Sequence, residues 1–380
     1  MKHKLRVGIF FGGRSGEHEV SLKSARAIIN ALDPEKYDIF QIGITKTGRW
    51  IGSGNPLAEL THRANAALLD SSCKQYIHNK KISGKTIKPD NSTLMPKDQI
   101  LEPLDVVIPV LHGPYGEDGT IQGMLELANI PYVGCGVLAS ALAMDKIAFK
   151  QLLTAHQIPT PDFLPVNRKQ FLDNPELWTD VIIQTLNLPV FCKPANLGSS
   201  VGITKCCDRK SLQNGLKYAA RYDRRIIVEK SIENPREIEM SILGNDTPQV
   251  SVPGEIIPSR DFYDYEAKYI DVGERASKLI IPAKLNEDQV AECSRYAITA
   301  FKAIDGSGMS RVDFLMDSKT NKIFLNEINT IPGFTAISMY SKLWEASGIP
   351  YKELIDILIQ LALEKFQDKQ NNTIDYIPNS

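Results

Sequence analysis

Hydrophobic positions change their period several times along the chain, and each change predicts an element. Leu5–Phe11 is a continuous apolar run, as expected of a strand covered on both faces. A glycine-rich turn follows, and Val20, Ala25, Ile28, Ile29 and Leu32 then recur at helical spacing. Tyr37–Ile44 and Asp105–Leu111 predict two further strands. The second leads through His112-Gly113-Pro114-Tyr115-Gly116-Glu117-Asp118-Gly119 into a helix containing Met124, Leu125 and Leu127. Such alternation predicts an α/β fold that opens with a parallel βαβ sheet. Ligands of these sheets sit beyond the carboxyl ends of strands, where the turns bearing Glu17 and His112 fall.

Between Trp50 and Glu102 the sequence turns polar and weakly periodic, predicting a peripheral insertion (about 50–103) with little catalytic content. From Gly136 a helix through Leu142, Met144, Lys146 and Phe149 leads into a new unit, and Pro159-Thr160-Pro161 marks a joint. Strands are predicted at Leu188–Pro194 and Ile226–Glu229, more strands from Ile238 onward, and a closing helix at Leu354–Phe366. The expected boundaries are 1–137, 138–230 and 231–366, with 367–380 as a tail.

The densest chemistry lies near the carboxyl end, in Arg311-Val312-Asp313-Phe314 and Phe324-Leu325-Asn326-Glu327-Ile328-Asn329. Both stretches alternate and are separated by a turn-like Asp317–Asn321, which predicts an antiparallel hairpin. Residues two apart share a face, so Arg311 and Asp313 point one way on the first strand, as do Glu327 and Asn329 on the second. Carboxylates and an amide oxygen are hard ligands suited to Mg2+, and an Arg nearby suits a developing anion. A solvated face with ordinary ion pairs accounts for the hairpin alone equally well.

Lys193–Gly202 joins two apolar strands through small residues. Its backbone N–H groups and hydroxyls could wrap phosphate oxygens, although a plain hairpin turn fits as well and the Walker A order is absent. Gly12-Gly13-Arg14-Ser15-Gly16-Glu17 lacks dinucleotide spacing, but a carboxylate at a helix start suits an ammonium group. Asp261–Tyr269 is aromatic and charged without a clean period, as a water-excluding lid over 262–278 would be, or a packed surface patch.

Composition narrows the classes. The chain has 380 residues, 43% hydrophobic and 23% charged, long enough for two or three domains. A net charge of −1 gives no reason to expect nucleic acid or an anionic membrane as partner. No apolar run approaches a membrane span, and the amino-terminal run lacks a cleavage site. The six cysteines follow no disulfide or metal spacing, which predicts reduced thiols and a cytoplasmic protein.

Six blocks in order carry a family likeness: Phe11–Ser21, His112–Gly119, Met144–Lys146, Lys193–Gly202, Phe262–Tyr269, and Arg311–Asp313 with Asn326–Ser338. Over nearly its whole length the sequence resembles the D-alanine–D-alanine ligases of the ATP-grasp superfamily. The resemblance implies a two-part ATP-grasp (α+β) fold after the βαβ domain. It also implies an enzyme that phosphorylates one D-alanine with ATP, ligates the acyl phosphate to a second, and serves peptidoglycan synthesis. D-serine or D-lactate as acceptor, or an ATP-binding regulatory module, are the alternatives.

Carried over position by position, the resemblance implies two Mg2+ ions (Mn2+ as substitute), held by Asp313, Glu327 and Asn329. ATP would meet Lys146, Lys193, Ser200, the hinge Glu229-Lys230-Ser231-Ile232, Glu237 and, from the lid, Lys268. The substrates would meet Glu17, His112, Arg311, Gly333, Ser338 and Met339. Glu17, Ser199 and Tyr269 match a hydrogen-bonded trio that reports closure, and Arg311 with the Gly333 N–H would steady the oxyanion. A homodimer is also implied.

Overall fold

The computed structural model describes residues 4–74, 104–258 and 277–373. In the first sheet β1 (Leu5–Gly12), β2 (Tyr37–Ile44) and β4 (Val106–Val110) lie parallel in the order β2-β1-β4. The short β3 (Trp50–Ile51) joins β2 antiparallel at the edge, so the sheet is mixed. It returns through a tight turn, which only an antiparallel neighbour can use. Leu22, Ala25 and Ile28 of α1 (His18–Ala31) pack into the same core as Val7, Ile9 and Phe11.

The start of the supposed insertion is structural. In α2 (Pro56–Lys74) Leu57 and Leu60 are buried in the first core, and Asn55 accepts from the Ala58 N–H at the helix start. Its apolar stripe is narrow, and the polar residues between hid the period. Residues 75–103 lie outside the described part of the chain.

α3 (Thr120–Leu127) follows β4, and the single helix expected after Gly136 proves to be two. α4 (Val137–Met144) ends at Asp145, whose extended backbone breaks the run. Its carboxylate accepts from the Ile147 and Ala148 N–H groups and starts α5 (Lys146–Ala155).

The second sheet is antiparallel, in the order β5-β8-β6-β7: β5 (Phe163–Asn167), β8 (Arg225–Lys230), β6 (Val190–Pro194) and β7 (Thr204–Cys206). Its core is completed by Phe171 of α6 (Arg168–Asp173), Ile182 of α7 (Pro175–Leu186) and Leu216 of α8 (Arg209–Ala219). Cys192 and Cys206 are buried there as free thiols.

The third sheet has six strands. β9 (Arg236–Gly244) carries the small β10 (Gln249–Val250), and the path runs β12 (Lys278–Ile280), β11 (Gly254–Ile257), β9, β13 (Gly308–Met316), β14 (Ile323–Asn329). One face buries Ile238, Met240, Ile242, Val312 and Phe314 under Tyr296, Ala297 and Phe301 of α9 (Glu287–Ala303). α10 (Met339–Ala346) and α11 (Tyr351–Lys369) join this sheet to the first, since Tyr340, Trp344, Leu354 and Leu358 belong to the core of β1 and β4. α11 runs beyond the expected Phe366. Among the described residues no helix is long and apolar enough to cross a membrane.

Candidate active site

The hairpin forms as expected, with Arg311 opposite Asn329 and Asp313 opposite Glu327. One feature departs from simple alternation: Phe314 pairs with Leu325, so Asn326 is an extra residue in β14. Strict alternation would put Leu325 and Glu327 on one face. The bulge separates them, leaving Ile323, Leu325 and Ile328 in the core under α9 and Glu327 on the side of Asp313.

On that face Arg311 is gripped by acids. Its Nε and Nη2 donate to Asp313 at 2.7 and 2.6 Å, and Nε lies 2.9 Å from Glu239 Oε2 on the adjacent strand. The Asn329 amide donates to Asp313 Oδ2 at 3.0 Å. Burial alone would favour a neutral guanidinium; Asp313 and then Glu239 outweigh it and keep the charge in place. Glu239, buried beside Arg311, was not singled out in the sequence. Its signal was its position two residues after Glu237 on a strand flanking the hairpin.

At the carboxyl end of β1, Gly12 and Gly13 turn the chain with positive φ, and the Gly12 N–H donates to Ser21 Oγ at 2.7 Å. The turn delivers Glu17 to a buried position, 9% exposed. Two loops close on its carboxylate. A Cβ on Gly113 (φ +76°) would lie 2.7 Å from Glu17 Oε2, and one on Gly198 would lie 3.0 Å away. First turn, post-β4 loop and Lys193–Gly202 loop therefore meet at one acid.

His112 is buried with both ring nitrogens engaged, Nδ1 to the Ile331 carbonyl at 3.1 Å and Nε2 to Ser24 Oγ at 3.3 Å. Burial lowers its pKa against the pull of Glu17, which assigns a neutral ring donating to Ile331 and accepting from Ser24. Glu117 accepts from the Gly113 N–H at 2.6 Å. Burial, and then the charge of Glu17, push its carboxyl well above the usual range. This perturbed acid was invisible to spacing rules, because its burial and the charge of Glu17 arise only when separate segments meet.

The Lys193–Gly202 loop lies over the start of α5. Lys146 Nζ donates to the Leu197 carbonyl at 2.7 Å, and the Asn196 amide reaches Asp145 Oδ2 at 3.2 Å. Ser199 and Ser200 both have positive φ, a strained conformation for residues other than glycine. Ser199 Oγ is buried without a hydrogen-bond partner among the described residues. Lys193 Nζ donates to Glu229 Oε2 at 2.5 Å, and Lys150 lies 3.4 Å from the other oxygen. Beyond Glu229, Lys230 Nζ reaches the Asn187 carbonyl, the Ser231 N–H donates to Pro189, and Ile232 is half-buried. Glu237 is half-buried on β9.

After β14, Ser338 Oγ accepts from the Thr335 N–H at 3.0 Å and shapes the turn that holds Gly333, on which a Cβ would lie 3.4 Å from that oxygen. The Met339 side chain is buried against Ile256 and Leu343, so only its backbone N–H, in the first turn of α10, can address a ligand. Lys268 and Tyr269, with the whole stretch 259–276, lie outside the described residues.

Among the described residues no three His, Cys, Asp or Glu side chains form a ready-made metal cluster. Asp313 and Glu327, opposed in register beside Asn329, nonetheless fit Mg2+, which is commonly held by one or two carboxylates while substrate phosphates complete its shell.

The chain matches two family models, described as D-ala D-ala ligase N-terminus over residues 6–135 and D-ala D-ala ligase C-terminus over residues 152–360. It is 49% identical to a D-alanine–D-alanine ligase of Ruminiclostridium cellulolyticum over 98% of this chain and 100% of that one. To one from Thermoanaerobacter sp. it is 48% identical, over 96% of this chain and 98% of the relative. Among solved structures it resembles the Coxiella burnetii D-alanine-D-alanine ligase at 37% identity and a TM-score of 0.77, covering 97% of this chain and 96% of that one. The Enterococcus faecalis VanG D-Ala:D-Ser ligase aligns at 34% and 0.75, covering 95% of this chain and 100% of that one. Matched by both family models and nearly half identical to these relatives over nearly its whole length, the chain belongs to the D-alanine–D-alanine ligase family.

Proposed function

We propose that the chain ligates two molecules of D-alanine at the expense of ATP, by way of an acyl phosphate, and so supplies a cytoplasmic step of peptidoglycan precursor synthesis. The observation that supports this reading is the meeting of Gly113 and Gly198 at the Glu17 carboxylate, as expected if Glu17 receives an ammonium group next to a loop that covers phosphates. Relatives 46–49% identical are named as D-alanine–D-alanine ligases, whereas the D-serine enzyme stands at 34%. This favours D-alanine as acceptor.

In this reading Glu17 receives the amine of the first D-alanine, and neutral His112 steadies the Ile331 carbonyl so that the nearby Gly333 N–H faces the reacting carboxylate. Lys146 and Lys193 meet ATP phosphates under the Ser200 loop, while Glu229–Ile232 and Glu237 line the base and ribose. Asp313, Glu327 and Asn329 would hold two Mg2+ ions, which when bound offset the negative charge crowded together as phosphate approaches carboxylate. Arg311, kept charged by Asp313 and Glu239, would steady the oxyanion of the tetrahedral intermediate. Ser338 and the Met339 N–H address the carboxylate of the acceptor. The orphaned Ser199 hydroxyl supports a partner arriving on closure, the part assigned to Tyr269 together with Lys268.

A coupled ADP-release assay with ATP, Mg2+ and each of D-alanine, D-serine and D-lactate tests the reading. Phosphate release with D-alanine alone, accompanied by the dipeptide, is expected. Nucleotide binding without phosphate release would overturn it.

A further inference from the structure

Lys150 is a fully buried cation to which none of these steps assigns a part. It is 1% exposed, in the middle of α5. Its Nζ donates to Thr160 Oγ1 at 2.9 Å and to the Asn326 carbonyl at 3.4 Å, and lies 3.4 Å from Glu229 Oε1. These partners come from three different places. Glu229 lies next to the end of a strand of the second sheet. Thr160 belongs to the Pro159-Thr160-Pro161 joint, itself pinned to β14 where the Leu325 N–H donates to the Pro159 carbonyl. Asn326 is the bulge residue that separates Leu325 from Glu327. The helix bearing Lys150 straddles the same seam, since Phe149 and Leu153 pack in the core of the third sheet while Ile147 packs with Ala195 and Ile227 of the second.

We propose that Lys150 is a positioning residue that fixes the bulge at Asn326, and with it the aim of Glu327, to the nucleotide-facing acid Glu229. A strand bulge leaves its extra residue out of the ladder, so the Asn326 carbonyl needs a donor from elsewhere. Lys150 is that donor, and its charge simultaneously shares Glu229 with Lys193. Loss of the ammonium frees the bulge to relax toward regular alternation, which turns Glu327 away from Asp313. The inference deepens the ligase reading and rests on it, because Glu327 matters here as a metal ligand.

The test measures half-saturating Mg2+, KM for ATP and KM for D-alanine in wild type, Lys150→Met and Thr160→Val. Groups that support metal ligands from outside typically matter by about 10–100-fold in metal affinity or activity. Lys150→Met is therefore expected to raise half-saturating Mg2+ and KM for ATP by roughly tenfold or more, with KM for D-alanine nearly unchanged. Thr160→Val removes one anchor and keeps the buried charge, so a smaller change in the same two constants is expected. If Lys150→Met does not fold, Thr160→Val decides alone. Unchanged Mg2+ and ATP dependence, or an equal shift in all three constants, would overturn the positioning part. A wild-type chain that releases no phosphate with ATP and D-alanine would instead sink the ligase reading itself.

Discussion

Replacing Glu229 by Gln tests whether the buried Lys150–Glu229–Lys193 group is held together by charge. The Glu229 residue is 3% exposed, with ammonium groups at 2.5 and 3.4 Å. Burial alone would raise its pKa, but Lys150 and then Lys193 outweigh burial and bring it from 4.5 to about 2. Because the folded value lies below the unfolded one, the stabilisation is fully present above about pH 4.5 and is lost as pH falls through about 2. About 2.5 units at ~1.4 kcal/mol each is on the order of 3 kcal/mol near neutral pH. Breaking a buried pair by removing one partner independently costs about 3–5 kcal/mol, so the two routes overlap. Urea unfolding of wild type and Glu229→Gln, run at a series of pH values from about 7 to about 3, reads this directly. The variant is expected to lie about 3 kcal/mol below wild type at neutral pH, with the gap roughly halved near pH 3. A gap that stays constant over the series would refute the electrostatic account and leave only lost packing.

Three further changes probe the rest of the site. Asp313→Asn removes the charged partner of two Arg311 hydrogen bonds while Glu239 remains; a stability loss of about 1–3 kcal/mol and at least a tenfold rise in half-saturating Mg2+ are expected by denaturation and titration. Gly113→Ala places a methyl 2.7 Å from Glu17 Oε2 at φ +76°, so KM for D-alanine should rise while ATP binding, read by calorimetry, changes little. Asp145→Ala deletes the cap of α5 and its links to Asn196 and Arg225; melting should show a loss of about 1–2 kcal/mol, and KM for ATP should rise as the phosphate loop loosens. An unaltered KM for ATP would mean that the cap serves the helix alone.

The order of strands and helices was legible because period and glycine placement are local. Leu5–Phe11, the turn after it and the Arg311–Asn329 hairpin were all visible as runs and alternations. Failures occurred where a side chain overrides the local period. Asp145 ends one helix and starts the next within an apolar stretch that reads as continuous, since a carboxylate capping two N–H groups leaves no mark on hydrophobic spacing. Leu57 and Leu60 needed a partner core before their spacing in a polar region acquired meaning.

The candidate site shows the same division more sharply. Asp313 and Glu327 stood out by type and spacing, and only the family resemblance implied a metal there, yet strict alternation puts Glu327 on the face of Leu325, and an unpaired Asn326 is what separates them. A bulge depends on what can satisfy the carbonyl it exposes, and here the donor comes from a residue 176 positions earlier in the sequence. Glu117 is similar, because its raised pKa comes first from burial and then from the charge of Glu17, and neither exists until separate segments meet. The residues proposed to face substrate were thus readable from their chemistry. Those that aim them, Lys150, Glu239 and Glu117, became visible only when separate segments were brought together, because their effect is exerted on another side chain and not on a neighbour in sequence.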